Sequence, residues 1–361
     1  MVRGLFLLSG FALSLLPACS AADRSELGVA SSGIVGGEAS DAADDAVVLI
    51  LTHIASKDTP QGQYYENCTG TLLAPNVVLT ARHCVSATTS GTFTCNEDGS
   101  LGAGPGGHLL ADFPPAEAHV LVGPNLPDTV NPADFPGQGA TAIHDASTVT
   151  CNADVALMVL AQPIENALIA PIRLDAPVVA GEELYVVGWG ATETDFIPPG
   201  RQRRNGVTAV EVGPSSTAHV GGELADKEFL ASESVCTGDS GGPAFDVETG
   251  AVVGVVSRGP NGGVTANGSG CVGTEHTFMQ TAPFKDQVLE AFQQAGGEPW
   301  LEGQALPGQG GAGAGGSPAA TPDASESGGC ALVDAPKGHG SAAVLGALGL
   351  AVWLRRRRGA A

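Results

Sequence analysis

Basic residues are scarce in this sequence. Sixteen Lys and Arg stand against 38 Asp and Glu, a formal net charge of −22. A surface that acidic repels nucleic acid and anionic lipid surfaces, so a nucleic-acid-binding role is excluded. No Cys-x-x-Cys pair and no His cluster occurs, so no metal is expected. A nucleotide-binding glycine loop and internal repeats are also missing, so no cofactor is implied. No apolar run reaches the roughly 20 residues of a spanning helix. Long helical periodicity is absent until residue 281.

What the ends hold is signal-like. Arg3 precedes the apolar stretch Leu5 to Leu16, which reads as an export signal over residues 1–18. The following "LPACS" resembles a bacterial lipobox that would place a lipid on Cys19; an ordinary cleavage site near Ala21 or Ala22 is the alternative. Residues 298–329 are rich in Gly, Pro, Ala and Ser and read as a linker. Beyond it, residues 330–361 carry Cys330, the apolar "SAAVLGALGLAVWL" and Arg355 to Arg358. Fourteen helical residues reach roughly 21 Å, short of the roughly 30 Å hydrocarbon core. The combination resembles the myxobacterial C-terminal sorting signal, a plain weak membrane tail being the alternative. The chain is expected to be exported, either released or held at the outer membrane or cell surface. Membrane contact would come through this segment and a lipid on Cys19. Disulfides are permitted in either case.

The body, residues 34–297, is written in short Val- and Leu-rich runs bounded by Gly, Pro, Asn or Asp: "AVVLILTHI", "GTLLAPNVVLTA", "AHVLVG", "DVALMVL", "ELYVVGWG", "NGVTAVEV", "AVVGVVSRG". This is the pattern of an all-β barrel or sandwich. One helix is expected in "TAPFKDQVLEAFQQAGG", with Phe284, Val288 and Phe292 on one face and Thr281 as its cap.

Three stretches carry chemistry. "CTGDSGGP" holds Ser240, "LTARHC" holds His83 after a strand, and "DVAL" holds Asp154 at the start of another. A serine hydroxyl is a weak nucleophile at neutral pH and needs a base to take its proton. The base needs a carboxylate to hold its tautomer, and the attacked carbonyl needs donors aimed at its developing charge. The backbone N–H groups of Gly238 and Ser240 are the natural donors.

With these residues the chain resembles the trypsin-like serine proteases, the chymotrypsin-fold family. The resemblance also rests on "IVGG" at Ile34, "CTGTLLAP", "GWG" at Gly188 and "FMQTAPFKDQV", and spans roughly Ile34 to Val288. It implies two six-stranded antiparallel β-barrels with a C-terminal helix and the catalytic residues in the cleft between them. It also implies His83 as general base, Asp154 as its orienting partner, Ser240 as nucleophile, and Gly238 with Ser240 as oxyanion hole. Substrates would be polypeptides, and the domain is expected to be monomeric. A non-catalytic binding or adhesion protein on the same fold is the competing reading; such relatives usually lose one of the three residues, and this chain keeps all of them.

The resemblance pairs Cys68 with Cys84 and Cys236 with Cys271, and leaves Cys95 and Cys151 for each other. The last bridge would tie an unusually long segment, residues 91–115, to the strand bearing Asp154; that segment reads as a surface loop rather than an exosite. The family is activated by cleavage before the isoleucine, whose new amine pairs with the aspartate preceding the nucleophile, here Ile34 and Asp239. Residues 19–33 would be the propeptide. Ser31, Ser32 and Gly33 precede the cut, so an activator other than a trypsin-like one, or the enzyme itself, is expected.

At the base of the specificity pocket stands Ser234 where tryptic relatives carry an aspartate, which implies a non-tryptic preference. Ser257, Arg258 and Gly259 replace the usual "SWG" edge, and His276 falls where glycine is usual. The pocket is then either narrowed and apolar or, through His276 with or without Arg258, suited to Glu or Asp. The basic run "GRQRR" at Gly200 to Arg204 reads as a solvated loop, or else as a cleavage site for another protease.

Overall fold

Two barrels follow one another along the chain in this computed structural model, which describes residues 34–55, 63–192, 198–259 and 268–307. The first is built from β1 (Val47–Ala55), β2 (Gln63–Ala74), β3 (Val77–Thr80), β4 (Ala118–Leu121), β5 (Gly137–Ile143) and β6 (Ala156–Leu160). The second uses β7 (Glu183–Gly188), β8 (Gln202–Val212), β9 (Glu228–Ala231), β10 (Pro243–Asp246), β11 (Val252–Arg258) and β12 (His276–Gln280). All pairings between these strands are antiparallel.

Both barrels close in the same cyclic order. In the first, β1-β2-β3-β6-β5-β4 returns to β1. In the second, β7-β8-β9-β12-β11-β10 returns to β7, with the short strand Glu38–Ala39 added outside β8. The all-β, two-barrel fold expected from the sequence is the one observed.

The runs that read as strands bury their apolar residues to make two separate cores. One holds Val48, Ile50, Leu72, Leu79, Val120, Leu157 and Met158; the other holds Ile34, Leu184, Val207, Phe229, Val256 and Phe278. Every residue of β3, β6 and β11 is buried, which fits the apolar runs that dominate them.

The helix α1 (Lys285–Ala295) follows the second barrel and packs Val288, Ala291 and Phe292 into the core of the first. Gln287 reinforces the docking by donating to the carbonyls of Val155 (3.0 Å) and Ile143 (3.3 Å). Thr281 does not cap it. A short 3₁₀ turn, Ala282–Phe284, intervenes, and the Thr281 hydroxyl donates to the Arg173 carbonyl at 2.7 Å. Contacts with the domain continue past residue 297: Ile172 N donates to the Trp300 carbonyl at 2.9 Å, and Arg173 pairs with Glu302 at 2.6 Å.

The basic run is not a solvated loop. Arg201 is almost wholly buried and donates to the carbonyls of Val47 and Asp41 and to the carboxylate of Asp45. Arg203 stacks on Tyr185 at 3.9 Å and pairs with Asp44 at 2.8 Å. Arg204 reaches the Val35 carbonyl and the Glu233 carboxylate. Desolvating guanidinium groups is unfavourable unless donors are matched, and here acids and carbonyls distant in sequence supply the match.

The export signal, Cys19, the residues before Ile34, Cys330 and the apolar tail lie outside the described residues. Among the described residues no helix is long and apolar enough to cross a membrane.

Candidate active site

His83 sits in a 3₁₀ turn, Arg82–Cys84, that ends the excursion from β3. The turn is pinned from both sides. A disulfide joins Cys84 to Cys68 on β2, and Arg82 pairs with Asp112 at 2.9 Å. Asp154 lies just before β6 and is 1% exposed. Its Oδ1 accepts the backbone N–H of His83 at 3.0 Å, and its Oδ2 lies 2.8 Å from Nδ1 of the same residue. The Ser257 hydroxyl, expected only at the pocket edge, donates to Oδ2 at 2.7 Å.

Three donors on one buried carboxylate leave it charged. Burial alone would raise Asp154, but the His83 charge and hydrogen bond, with Ser257 and the His83 backbone, carry it below the ordinary range. For His83, burial acts downward, while the Asp154 charge and hydrogen bond, aided by Glu66, leave the imidazole above its ordinary value. Glu66, which the sequence reading missed, is itself pushed up by burial, against the lowering effect of the His83 charge. No motif marks it.

Ser240 enters from the turn before β10 and is half-exposed. Its carbonyl accepts the N–H of Thr69 at 2.8 Å, which locks the turn onto β2. Gly238 has φ +97°, a region that suits glycine, and a Cβ there would come within 2.5 Å of the Asn67 amide. Among the described residues, neither the Gly238 nor the Ser240 N–H donates to another group, and no hydrogen bond joins Ser240 Oγ to His83. Catalytic bonds of this kind commonly tighten only around substrate. His83, Asp154, Ser240, Ser257, Arg258, Gly259 and His276 line one cavity of about 350 Å³.

The remaining expected residues separate into groups. Ser234 is fully buried with an unpartnered hydroxyl, and it is not part of the lining of this cavity. His276 lines it and packs hard on Gly259, where a Cβ would lie 2.3 Å from the His276 ring. Burial pulls His276 down to about 4, so its ring is neutral at pH 7. Arg258 is not a free cation in the pocket. It forms a two-pronged ion pair with fully buried Glu228, at 2.6 and 2.8 Å.

Asp239, the residue before Ser240, is buried. Its oxygens accept the N–H groups of Gly190 (2.7 Å) and Cys236 (2.8 Å), yet burial still pushes it up to about 7. Ile34 is wholly buried in the second core, and Val35 packs on Ala191 and Cys236, beside the Asp239 loop. The other two disulfides are Cys236–Cys271 and Cys95–Cys151.

Paired barrels with this cleft define a trypsin-like serine protease domain, and the family model Trypsin matches residues 34–104 and 106–278. The chain belongs to that family. It is similar to phenoloxidase-activating factor 3 of Holotrichia diomphalia, 29% identical over 66% of this chain and 68% of the relative. It is also similar to human chymotrypsin-like elastase family member 3B (27% identical; 50% of this chain, 63% of the relative) and to the dog elastase family member 1 (27%; 50% and 65%). The chain therefore spans less than two thirds of the length of these two elastases.

Proposed function

We propose that the chain is an exported serine endopeptidase in which Ser240 attacks a peptide carbonyl while His83 accepts its proton. The observation that supports this most is the Asp154 clamp: one buried carboxylate holds both the ring and the backbone of His83, and His83 lines the same cavity as Ser240. His83 then gives the proton to the leaving amine as the C–N bond breaks, so the carboxyl-side product departs and an acyl-Ser240 ester remains. Water, deprotonated by His83, attacks the ester carbonyl, and His83 passes that proton to the departing Ser240 oxygen, which frees the amino-side product as a carboxylic acid. The N–H groups of Gly238 and Ser240 receive the negative oxygen of each tetrahedral intermediate.

Cleavage before Ile34 completes the site in this reading. Asp239, pushed up to about 7, has no cation beside it among the described residues. A new amine at Ile34 supplies one, lowers the carboxyl back into the ionised range and fixes the turn that carries Gly238 and Ser240. A fluorophosphonate is the test. It is expected to label Ser240 in chain whose first residue, by N-terminal sequencing, is Ile34, and to label uncut chain far more slowly. Absence of label in chain that begins at Ile34 would overturn the reading.

Specificity is non-tryptic on this account. Ser234, buried behind the lining where tryptic relatives carry an aspartate, bears no charge, Glu233 is turned to Arg204, and Arg258 is neutralised by Glu228. A Lys or Arg side chain entering would be desolvated without a counter-charge. The neutral His276 ring shortens the pocket and favours small or uncharged side chains. Across a peptide library, cleavage after Lys or Arg is expected to be at least tenfold slower than after the best neutral residue; efficient cutting after either cation would reject the assignment. At the surface, Cys19 and the segment after Cys330 would retain the protein, and cutting before Ile34 would leave only the second.

A further inference from the structure

The segment after His83 does not wander over the surface. Cys95 is bridged to Cys151, three residues before Asp154. The same residue then reaches the second barrel: Cys95 N donates to the Gly221 carbonyl at 3.2 Å, and Glu223 N donates to the Cys95 carbonyl at 2.8 Å. Glu97 N adds a bond to the Glu223 carboxylate at 2.8 Å. Gly222 permits the approach, since a Cβ there would lie 2.3 Å from the Cys95 carbonyl oxygen.

A second tie runs beside the first. Asn152 N donates to Glu228 at 2.8 Å, its amide donates to Asp226 at 2.7 Å, and its oxygen accepts the Lys227 N–H at 2.9 Å. The roots of the segment are fixed too, by Leu109 N to the Thr148 carbonyl (2.8 Å) and Thr150 N to the Gly107 carbonyl (3.0 Å). The result is a strap from one barrel to the other, held at both ends and covalently in the middle. Thr88 to Gly91, Phe93 and Gly107 line the same cavity as His83, Ser240 and Ser257 to Gly259.

We propose that this strap determines specificity by closing the amino-terminal side of the substrate cleft. The inference rests on the proteolytic reading above. On this proposal the residue whose carbonyl is attacked places its side chain against Gly259 and His276, at one end of the cavity, and the residues before it run toward Thr88 to Gly91 and Phe93. The whole cavity, lined together by the strap, by His83 and Ser240 and by Gly259 and His276, is about 350 Å³, the lower end of the range for small-ligand pockets. It holds a short peptide segment and not a long extended one. Substrates with few residues before the scissile bond are preferred; longer ones must bend out and lose contacts.

The test is a peptide series with one scissile bond, one carboxyl side, and one to seven residues on the amino side. Specificity constants are measured on enzyme whose sites are counted by fluorophosphonate titration. kcat/KM is expected to peak at two or three residues and to fall at least tenfold by six. In Phe93→Ala, and in Cys95→Ala with Cys151→Ala, the fall is expected to shrink to threefold or less. If either variant fails to fold, the wild-type series decides alone. A kcat/KM that stays level or rises through seven residues, on titratable enzyme, overturns the strap as a stop. Enzyme with no titratable sites overturns the proteolytic reading instead, and the inference with it.

Discussion

Ser240→Ala is expected to lower kcat on a peptide substrate by about 10⁶-fold, the scale seen when the nucleophile of such a unit is removed. The size follows from what remains. Backbone donors at Gly238 and residue 240 survive the substitution, so binding and oxyanion stabilisation persist, worth roughly 10³–10⁴ over water. The covalent route does not persist, because the attacking hydroxyl is gone. Folding should be nearly untouched. The residue is half-exposed, and its structural bond, carbonyl to Thr69 N–H, belongs to the backbone. A stability change within about 0.5 kcal/mol is expected. Adding His83→Ala should cost little more, since a base without a nucleophile has no proton to accept. Steady-state kinetics with chemical denaturation of both variants checks this. Residual activity above one part in a thousand in Ser240→Ala, with contaminating protease excluded, would defeat the assignment.

The two barrels were readable because β-sheet burial has period two or none, and short apolar runs between Gly, Pro, Asn and Asp announce it locally. His83, Asp154 and Ser240 stood out for a similar reason: each lies in a short stretch whose residue order is informative by itself. What escaped the sequence is what depends on distant partners. Ser257 looked like a pocket edge, and its bond to Asp154 joins residues 103 apart. Arg258 reads as a charge in the pocket wall, but Glu228, 30 residues away, pairs with it in the fold. Arg201 to Arg204 looked solvated because cations usually are, but their acids and carbonyls come from Val35 to Val47 and from Glu233. The strap is the extreme case. Gly and Pro in residues 91–115 suggest an idle loop, and only folding brings Cys95 against Gly221 and Glu223 across the two barrels.

Asp154→Asn is expected to lower kcat/KM by about 10⁴-fold at neutral pH while leaving the fold intact. The exchange keeps size and shape but turns one acceptor into a donor. In the native site Oδ2 accepts from both His83 Nδ1 and Ser257 Oγ, and Oδ1 accepts the His83 N–H. An amide satisfies this shell best with its oxygen on the His83 N–H and its NH₂ toward the ring, while the Ser257 hydroxyl turns to accept. His83 Nδ1 must then accept as well, so the proton moves to Nε2, the atom that should take the proton of Ser240. The base is present but in the wrong tautomer. The charge is also gone. Burial presses His83 down and Asp154 holds it up, so without the carboxylate the imidazole falls, and the acid limb of the pH–rate profile shifts to lower pH. The native pair stabilises the fold most between its two limits. Protonating Asp154 on the acid side weakens it, and so does deprotonating His83 on the alkaline side, because the first is depressed and the second raised on folding. In the variant this bell-shaped contribution should vanish. kcat/KM and thermal midpoint, each measured from pH 4 to 9, read both effects. Activity within tenfold of wild type, or an acid limb that does not move, would show that Asp154 neither sets the tautomer nor holds the charge of His83.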